Sequence, residues 1–148
     1  LNKVISKVNL ISINDEEAYL LTKEKSLENC ASKIIKKGPQ YVIIKKGELG
    51  AELYSKDEKF SLPSFRVKAI DPTGAGDTFA GGLAAYLSKN KKIDFNSLKK
   101  GLILGTILAS FTVEGLGTSC IERVVKKNIL ERLEIFINKN KIDLNLSI

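Results

Sequence analysis

Residues 71–82 read DPTGAGDTFAGG, and this stretch constrains the chain more than any other. TFAGGLAAYL, 78–87, reads as a buried helix with small residues on one face. FRVKAI, 65–70, alternates apolar and polar and predicts a strand entering a site. A Gly-rich turn between the two lets Gly74, Ala75 and Gly76 aim backbone N–H groups at an anion, helped by the helix dipole. No Gly-Lys-Ser/Thr follows, so this is not a Walker loop. Asp77 has two readings. As local structure it is a helix N-cap. As chemistry, a carboxylate inside an anion cradle repels a phosphate, and gains sense by taking a proton from a hydroxyl that attacks that phosphate.

The other bounds come from the whole chain. Its 148 residues, 43% hydrophobic and 28% charged, fit one soluble domain with a sizeable core. No apolar run approaches the ~20 residues that span a bilayer, and no secretory signal is visible. No membrane partner and a cytoplasmic location are therefore expected. Cys30 and Cys120 stand in no metal or redox spacing and read as reduced, structural thiols. The chain has no His, which excludes His-based acid–base chemistry and the usual zinc sites. It has no Met, even at position 1, which predicts a fragment or a chain lacking its beginning.

The net charge is +7, with 24 basic residues of which only Arg66, Arg123 and Arg132 are arginines. Lys pairs at 36–37, 45–46, 91–92, 99–100 and 126–127 are dispersed. Nucleic-acid binding favours a clustered patch with interleaved aromatics. A solvated lysine surface and no nucleic-acid partner are expected instead.

Along the chain, 8–13 and 41–46 read as strands, and 14–21 and 26–37 as helices. Leu27, Ala31, Ile34 and Ile35 fall on one face of the second helix, and Gly38-Pro39 ends it. GELG, 47–50, is a turn. AELYS and KFSLPSFRVKAI read as a small antiparallel section around a hairpin turn at 55–58. Helices follow from Asp77 to about Lys89-Asn90, over 94–113 and over 124–139, the last with Ile129, Leu133 and Phe136 inward. GLGTS, 115–119, is a second Gly-rich loop. Strands alternating with helices predict an α/β fold with a mostly parallel sheet.

Three further groups carry candidate chemistry. Asn14 and Glu17, in NDEE after a strand, read as a helix cap with acids in its first turn. A second reading takes them as an amide and a carboxylate on one helix face, able to hold Mg²⁺ through water, though the residues alone favour the cap. Lys45 and Gly47 lie where a strand gives way to a turn, the end at which open α/β sheets bind ligands. Lys45 and Lys46 point to opposite faces, so at most one reaches a site. Ser110, Phe111 and Val113, with Gly115 and Gly117 after them, read as core packing and a helix end, or as a wall for a flat base.

DPTGAGDTFAGG resembles the second signature of the ribokinase-like sugar kinases, the phosphofructokinase-B family, D-T-x-G-A-G-D-x-F. NDEE resembles the family's N-x-x-E, KKGELG its strand-end glycine turn, and GTILASFTVEGLG the helix and loop that close over the nucleotide. The four segments stand in family order over about residues 8–138. The resemblance implies a three-layer α/β/α fold, of which residues 1–148 supply the C-terminal, ATP-binding half. It implies ATP-dependent phosphorylation of an alcohol hydroxyl of a sugar or nucleoside acceptor. Asp77 is then the general base, and Gly74, Ala75 and Gly76 the anion hole for the γ-phosphoryl group. Asn14 and Glu17 organise Mg²⁺. Lys45, Gly47 and Gly50 line the nucleotide phosphates. Asp71 and Thr73 hold a monovalent cation such as K⁺ in some members, with Pro72 standing where many have Thr. Ala109, Ser110, Val113 and Gly117 line the adenine side.

Family members run to about twice this length. The N-terminal half carries a Gly-Gly signature, the acceptor contacts and a lid that often forms a homodimer. A chain without it is expected to show little kinase activity alone. Two competing readings remain: a non-catalytic nucleotide-binding or regulatory module derived from such a kinase, and a basic protein that binds nucleic acid. The first does not explain a carboxylate at position 77, and the second explains none of the motifs.

Overall fold

Val42, Ile43 and Ile44 are fully buried, and the strand that carries them organises the first half of the chain. The computed structural model describes residues 2–90 and 92–143. It divides into two units, one up to Ser64 and one from Phe65 onward.

The first unit is a four-stranded sheet in the order β1 (Leu10–Asn14), β2 (Tyr41–Lys45), β3 (Ala51–Tyr54), β4 (Lys59–Leu62). β1 and β2 run parallel, and the β2–β3 and β3–β4 pairings are antiparallel. The expected parallel character is thus confined to one pairing of three. A parallel partner needs a long crossover, here 15–40, whereas GELG and SKDE are short enough only for reversals. Ser55 closes the second reversal. Its N–H donates to the Glu58 carbonyl (2.9 Å) and its hydroxyl accepts from the Glu58 N–H (2.9 Å).

Helices α1 (Asn2–Ile5), α2 (Asp15–Thr22) and α3 (Leu27–Ile35) complete this unit. α1 carries no pattern strong enough to read from sequence. Its Ile5 joins Ala18, Cys30, Ala31, Ile34, Val42, Ile44 and Tyr54 in one buried cluster, with Leu27 and Ile35 packed at its edge. Apolar positions at helical spacing on α3 meet alternate positions of β2. Cys30 and Cys120 are both free thiols, Cys30 fully buried.

In the second unit, α4 (Ala75–Ser88), α5 (Phe95–Thr112) and α6 (Lys126–Asn140) follow the predicted positions closely. Asp94 caps α5, its carboxylate accepting the Ser97 N–H (2.8 Å) while Ser97 Oγ accepts the Asp94 N–H (2.8 Å). The small residues of α4 and α5 have a packing reason. A Cβ on Gly82 would stand 2.9 Å from Gly105 Cα, and one on Gly105 only 2.6 Å from the Phe79 carbonyl oxygen. The two helix backbones nearly touch there. Leu133 and Phe136 of α6 are buried and Ile129 half-buried, as its pattern predicts.

FRVKAI is not a strand. Residues 63–69 carry no regular secondary structure and join no ladder among the described residues. The alternation survives as burial: Phe65 and Val67 are half-buried, Arg66 and Lys68 exposed. Alternation fixes which side chains point inward, but a strand also needs a neighbour for its N–H and C=O groups. Of the lysine pairs, Lys36, Lys92, Lys126 and Lys127 are exposed, while Lys37, Lys45, Lys46, Lys99 and Lys100 are half-buried. Lys91 lies outside the described residues.

Candidate functional site

Asn14 and Lys45 are the last residues of the parallel strands β1 and β2, and they are register partners. Asn14 is also the N-cap of α2. Its Oδ1 accepts the Glu17 N–H (2.7 Å), and Glu17 Oε2 accepts the Asn14 N–H (2.8 Å). This is a full capping box, so the local reading of NDEE holds. The box also fixes the Glu17 carboxylate beside the strand end. Its Oε1 has no partner among the described residues, and Glu17 is exposed.

The two lysines at the strand end separate as alternation requires. Lys46 Nζ pairs with Glu52 Oε1 (2.7 Å). Lys45 has no ion pair among the described residues. Glu52 is buried, a position that AELY alone does not announce. It also accepts from the Tyr54 hydroxyl and lies 3.4 Å from Lys59 Nζ, which reaches on to Glu28. Burial pushes the Glu52 carboxyl up, but the hydrogen bonds from Lys46 and Tyr54 outweigh it and hold it below its ordinary value. Burial and the bond to Glu52 both push the Tyr54 hydroxyl up.

The glycines of this turn differ. Gly47 has φ 54° with open space around it. Gly50 has φ 94°, and a Cβ there would collide with the Leu62 carbonyl and Pro63. Gly50 is thus required by the approach of the β4 end, whatever else it touches.

In the second unit, the loop 70–77 is built on the end of α5. The Val113 carbonyl, left without a helical partner, accepts from the N–H groups of Ile70 (2.7 Å) and Asp71 (3.2 Å). Asp71 Oδ1 accepts the Thr73 N–H (2.9 Å). The Thr73 side chain, then the Thr73 backbone, and to a lesser extent the Gly117 N–H hold the Asp71 carboxyl below its ordinary value. Thr73 itself is exposed.

Gly74, with φ 80° and ψ −7°, is the N-cap of α4. Asp77 is therefore not the cap: it stands three residues after Gly74, in the third helical position, and is exposed. Its carboxylate has no hydrogen bond or ion pair among the described residues. Of the first N–H groups, that of Ala75 donates to the Pro72 carbonyl (3.2 Å), and those of Gly74, Gly76 and Asp77 have no acceptor among the described residues. Thr78 begins the helical series by donating to the Gly74 carbonyl (2.9 Å). Its hydroxyl also accepts from Thr112 Oγ1 (2.9 Å), which ties the first turn of α4 to the last of α5. An unpaired carboxylate thus lies in the first turn of a 14-residue helix whose N-terminal donors are open.

At the end of α5, Ala109 and Val113 are half-buried, four residues apart on one face. Gly117 is exposed, with φ 57° and open space around it. Ser110 is buried. Its hydroxyl donates to the Ile107 carbonyl (2.6 Å) and accepts from Arg132 Nη1 (2.9 Å). Ser110 therefore has internal partners already. Arg132, Thr112, Thr78 and Glu52 escape a reading by sequence. For Arg132 one signal exists: it is an arginine in a chain that otherwise uses lysine almost throughout.

Residues 1–123 match the model of the pfkB family carbohydrate kinases. The chain belongs to this family. As a pfkB-type chain it is 26% identical over 144 residues to inositol 3-kinase from Arabidopsis thaliana, covering 97% of this chain and 35% of that protein. Its fold matches ribokinase from Thermotoga maritima with a TM-score of 0.75 at 30% identity, over 93% of this chain and 45% of that one. It also matches aminoimidazole riboside kinase from Salmonella enterica, solved with the riboside and an ATP analog, with a TM-score of 0.80 at 22% identity, which is likeness of fold. That match covers 89% of this chain and 44% of the other. The pfkB-type chain thus spans about a third of the curated relative and under half of either solved structure. The expected ribokinase-like α/β fold and sugar or nucleoside kinase family are borne out. No helix among the described residues is long and apolar enough to cross a membrane.

Proposed function

We propose that this chain carries the nucleotide and phosphoryl-transfer residues of a kinase that uses ATP to phosphorylate an alcohol hydroxyl of a sugar or nucleoside. The observation that carries the reading is the N-terminus of α4, with open N–H groups on Gly74, Gly76 and Asp77 and an unpartnered Asp77 carboxylate among them. The donors favour the charge that develops on a transferring phosphoryl group, usually the larger catalytic effect. Asp77 takes the proton of the acceptor hydroxyl. That oxygen forms its bond to the γ-phosphorus as the bond to the departing ADP oxygen breaks. The Ala75 N–H, engaged with Pro72, serves the turn rather than the anion.

In the first unit, Lys45 supplies a positive charge to the nucleotide phosphates beside the open turn at Gly47. Glu17, with Oε1 unpartnered and Asn14 fixing its backbone, fits a Mg²⁺ held through water. No group of three or more His, Cys, Asp or Glu converges among the described residues. When bound, Mg²⁺ neutralises phosphate oxygens. Asp71, Thr73 and the 115–119 loop suit a monovalent cation such as K⁺. Ala109, Val113 and Gly117 present an apolar face and an open turn to the adenine.

The acceptor, a homodimer and a cytoplasmic location belong to the same proposal, the last supported by two free thiols. With the chain spanning about a third of its curated relative, we propose that alone it binds MgATP and transfers phosphoryl poorly. Robust phosphorylation of a sugar by the 148-residue chain contradicts the second half of this statement. Absence of MgATP binding to the folded chain contradicts the first.

A further inference from the structure

We propose that Arg132 is a positioning residue for the loop 70–77: it fixes the end of α5, which in turn fixes the loop backbone. This rests on the reading of Gly74, Gly76 and Asp77 as the phosphoryl-handling groups. Arg132 stands on α6, beyond the residues matched to the family. Its Nη1 donates to Ser110 Oγ (2.9 Å) and its Nη2 to Glu114 Oε2 (2.8 Å). Its guanidinium carbon lies 3.6 Å from the centre of the Phe111 ring and 5.0 Å from that of Phe65.

One side chain therefore grips residues on both sides of Val113, the C-cap of α5. The Val113 carbonyl is the acceptor for Ile70 and Asp71. Asp71 in turn holds the Thr73 N–H, and Gly74 caps α4. Contacts thus run without a gap from Arg132 through the α5 terminus to the first turn of α4. Helix ends fray because their last carbonyls lack helical partners. A cation placed at that end opposes fraying through the helix dipole as well as by its bonds.

The chemistry needs arginine. Two arms reach two acceptors while the flat face covers a ring, and the compact ammonium of a lysine has neither the fork nor the flat face that this combination uses. The side chains of Arg132 and Glu114 are 17% and 33% exposed, so the pair is partly shielded from water. A plain staple between α5 and α6 predicts something different. It stabilises the whole second unit evenly, with no special effect on residues 70 and 71.

The test is amide hydrogen exchange on the full chain, comparing the wild type with Arg132→Lys and Arg132→Met, alongside MgATP calorimetry. The proposal expects Ile70 and Asp71 to exchange faster by about tenfold or more in both variants, while Leu83 and Leu102 of the α4–α5 contact keep wild-type rates. It expects MgATP affinity to fall by about fivefold or more in the same proteins. Unchanged exchange at Ile70 and Asp71 overturns it. So does an even acceleration that includes Leu83 and Leu102, or an Arg132→Lys chain that fails to fold. A wild-type chain that ignores MgATP counts against the function proposed above, and the exchange rates then still decide the role of Arg132.

Discussion

Asn14 and Lys45 stand side by side as register partners at the carboxyl ends of the two parallel strands. One starts a helix through a capping box, and the other carries a charge with no ion pair among the described residues. Its neighbour Lys46 is held on the other face by Glu52. The two lysines are therefore expected to separate binding from stability. Lys45→Met is expected to weaken MgATP binding by roughly ten- to hundredfold, the loss of one charged hydrogen bond of ~1.5–3 kcal/mol. Lys46→Met is expected to cost about 1–3 kcal/mol of stability by leaving Glu52 short of a partner, with little change in affinity. Calorimetry and urea unfolding of both variants check this.

Asp77→Asn keeps the shape of the α4 terminus and removes the proposed base. In the complete enzyme kcat is expected to fall by roughly 10²–10⁴-fold, the usual contribution of a general base. MgATP affinity should hold or improve, because a negative charge near the phosphates is gone. Rapid-quench and equilibrium binding measurements on the same protein separate the two effects. An unchanged kcat removes Asp77 from the role of base.

Gly105 tests the α4–α5 crossing that sets where the loop meets the α5 end. Its added Cβ would stand 2.6 Å from the Phe79 carbonyl oxygen, which is backbone and yields poorly. Overpacking costs ~1–3 kcal/mol, and replacing helical Gly by Ala returns about 1 kcal/mol. Gly105→Ala is therefore expected to destabilise by up to about 2 kcal/mol. Gly81 has nothing within 4 Å of an added Cβ, so Gly81→Ala should be neutral or stabilising in the same denaturation series.

Glu52 and Glu28 are both held below the ordinary 4.5, Glu28 chiefly by its hydrogen bond from Lys59. A depressed carboxyl contributes stability that is complete above its unfolded value and lost as pH falls through the folded one. Stability is thus expected to fall below pH 4.5. Glu52→Gln should flatten that part of the profile while lowering the plateau above it. Thermal melts from pH 7 to pH 3 read both effects. A variant with the wild-type acid limb would show that Glu52 contributes nothing to it.

What the sequence reveals here follows from range. The capping box of α2, the stop of α3 and the cradle before α4 depend on neighbours three or four residues away, so their residues announce them. FRVKAI has the alternation of a strand, yet pairing depends on a partner far along the chain. Nothing in AELYS marks Glu52 as a buried carboxylate; its burial follows from Lys46, Tyr54 and Lys59 converging on it. Arg132 meets Ser110 and Glu114 from 22 and 18 residues away, and no local pattern encodes that. Even within the legible motif, Gly74 rather than Asp77 is the cap, because φ 80° suits glycine. That difference is what leaves the Asp77 carboxylate unengaged.

The most direct test of the account is a calorimetric titration of MgATP into the 148-residue chain, once circular dichroism shows it folded. The account predicts saturable binding at one site, weakened by Lys45→Met and retained by Asp77→Asn. A folded chain that gives no heat beyond dilution, with binding equally absent by equilibrium dialysis, contradicts the proposal that this chain binds MgATP.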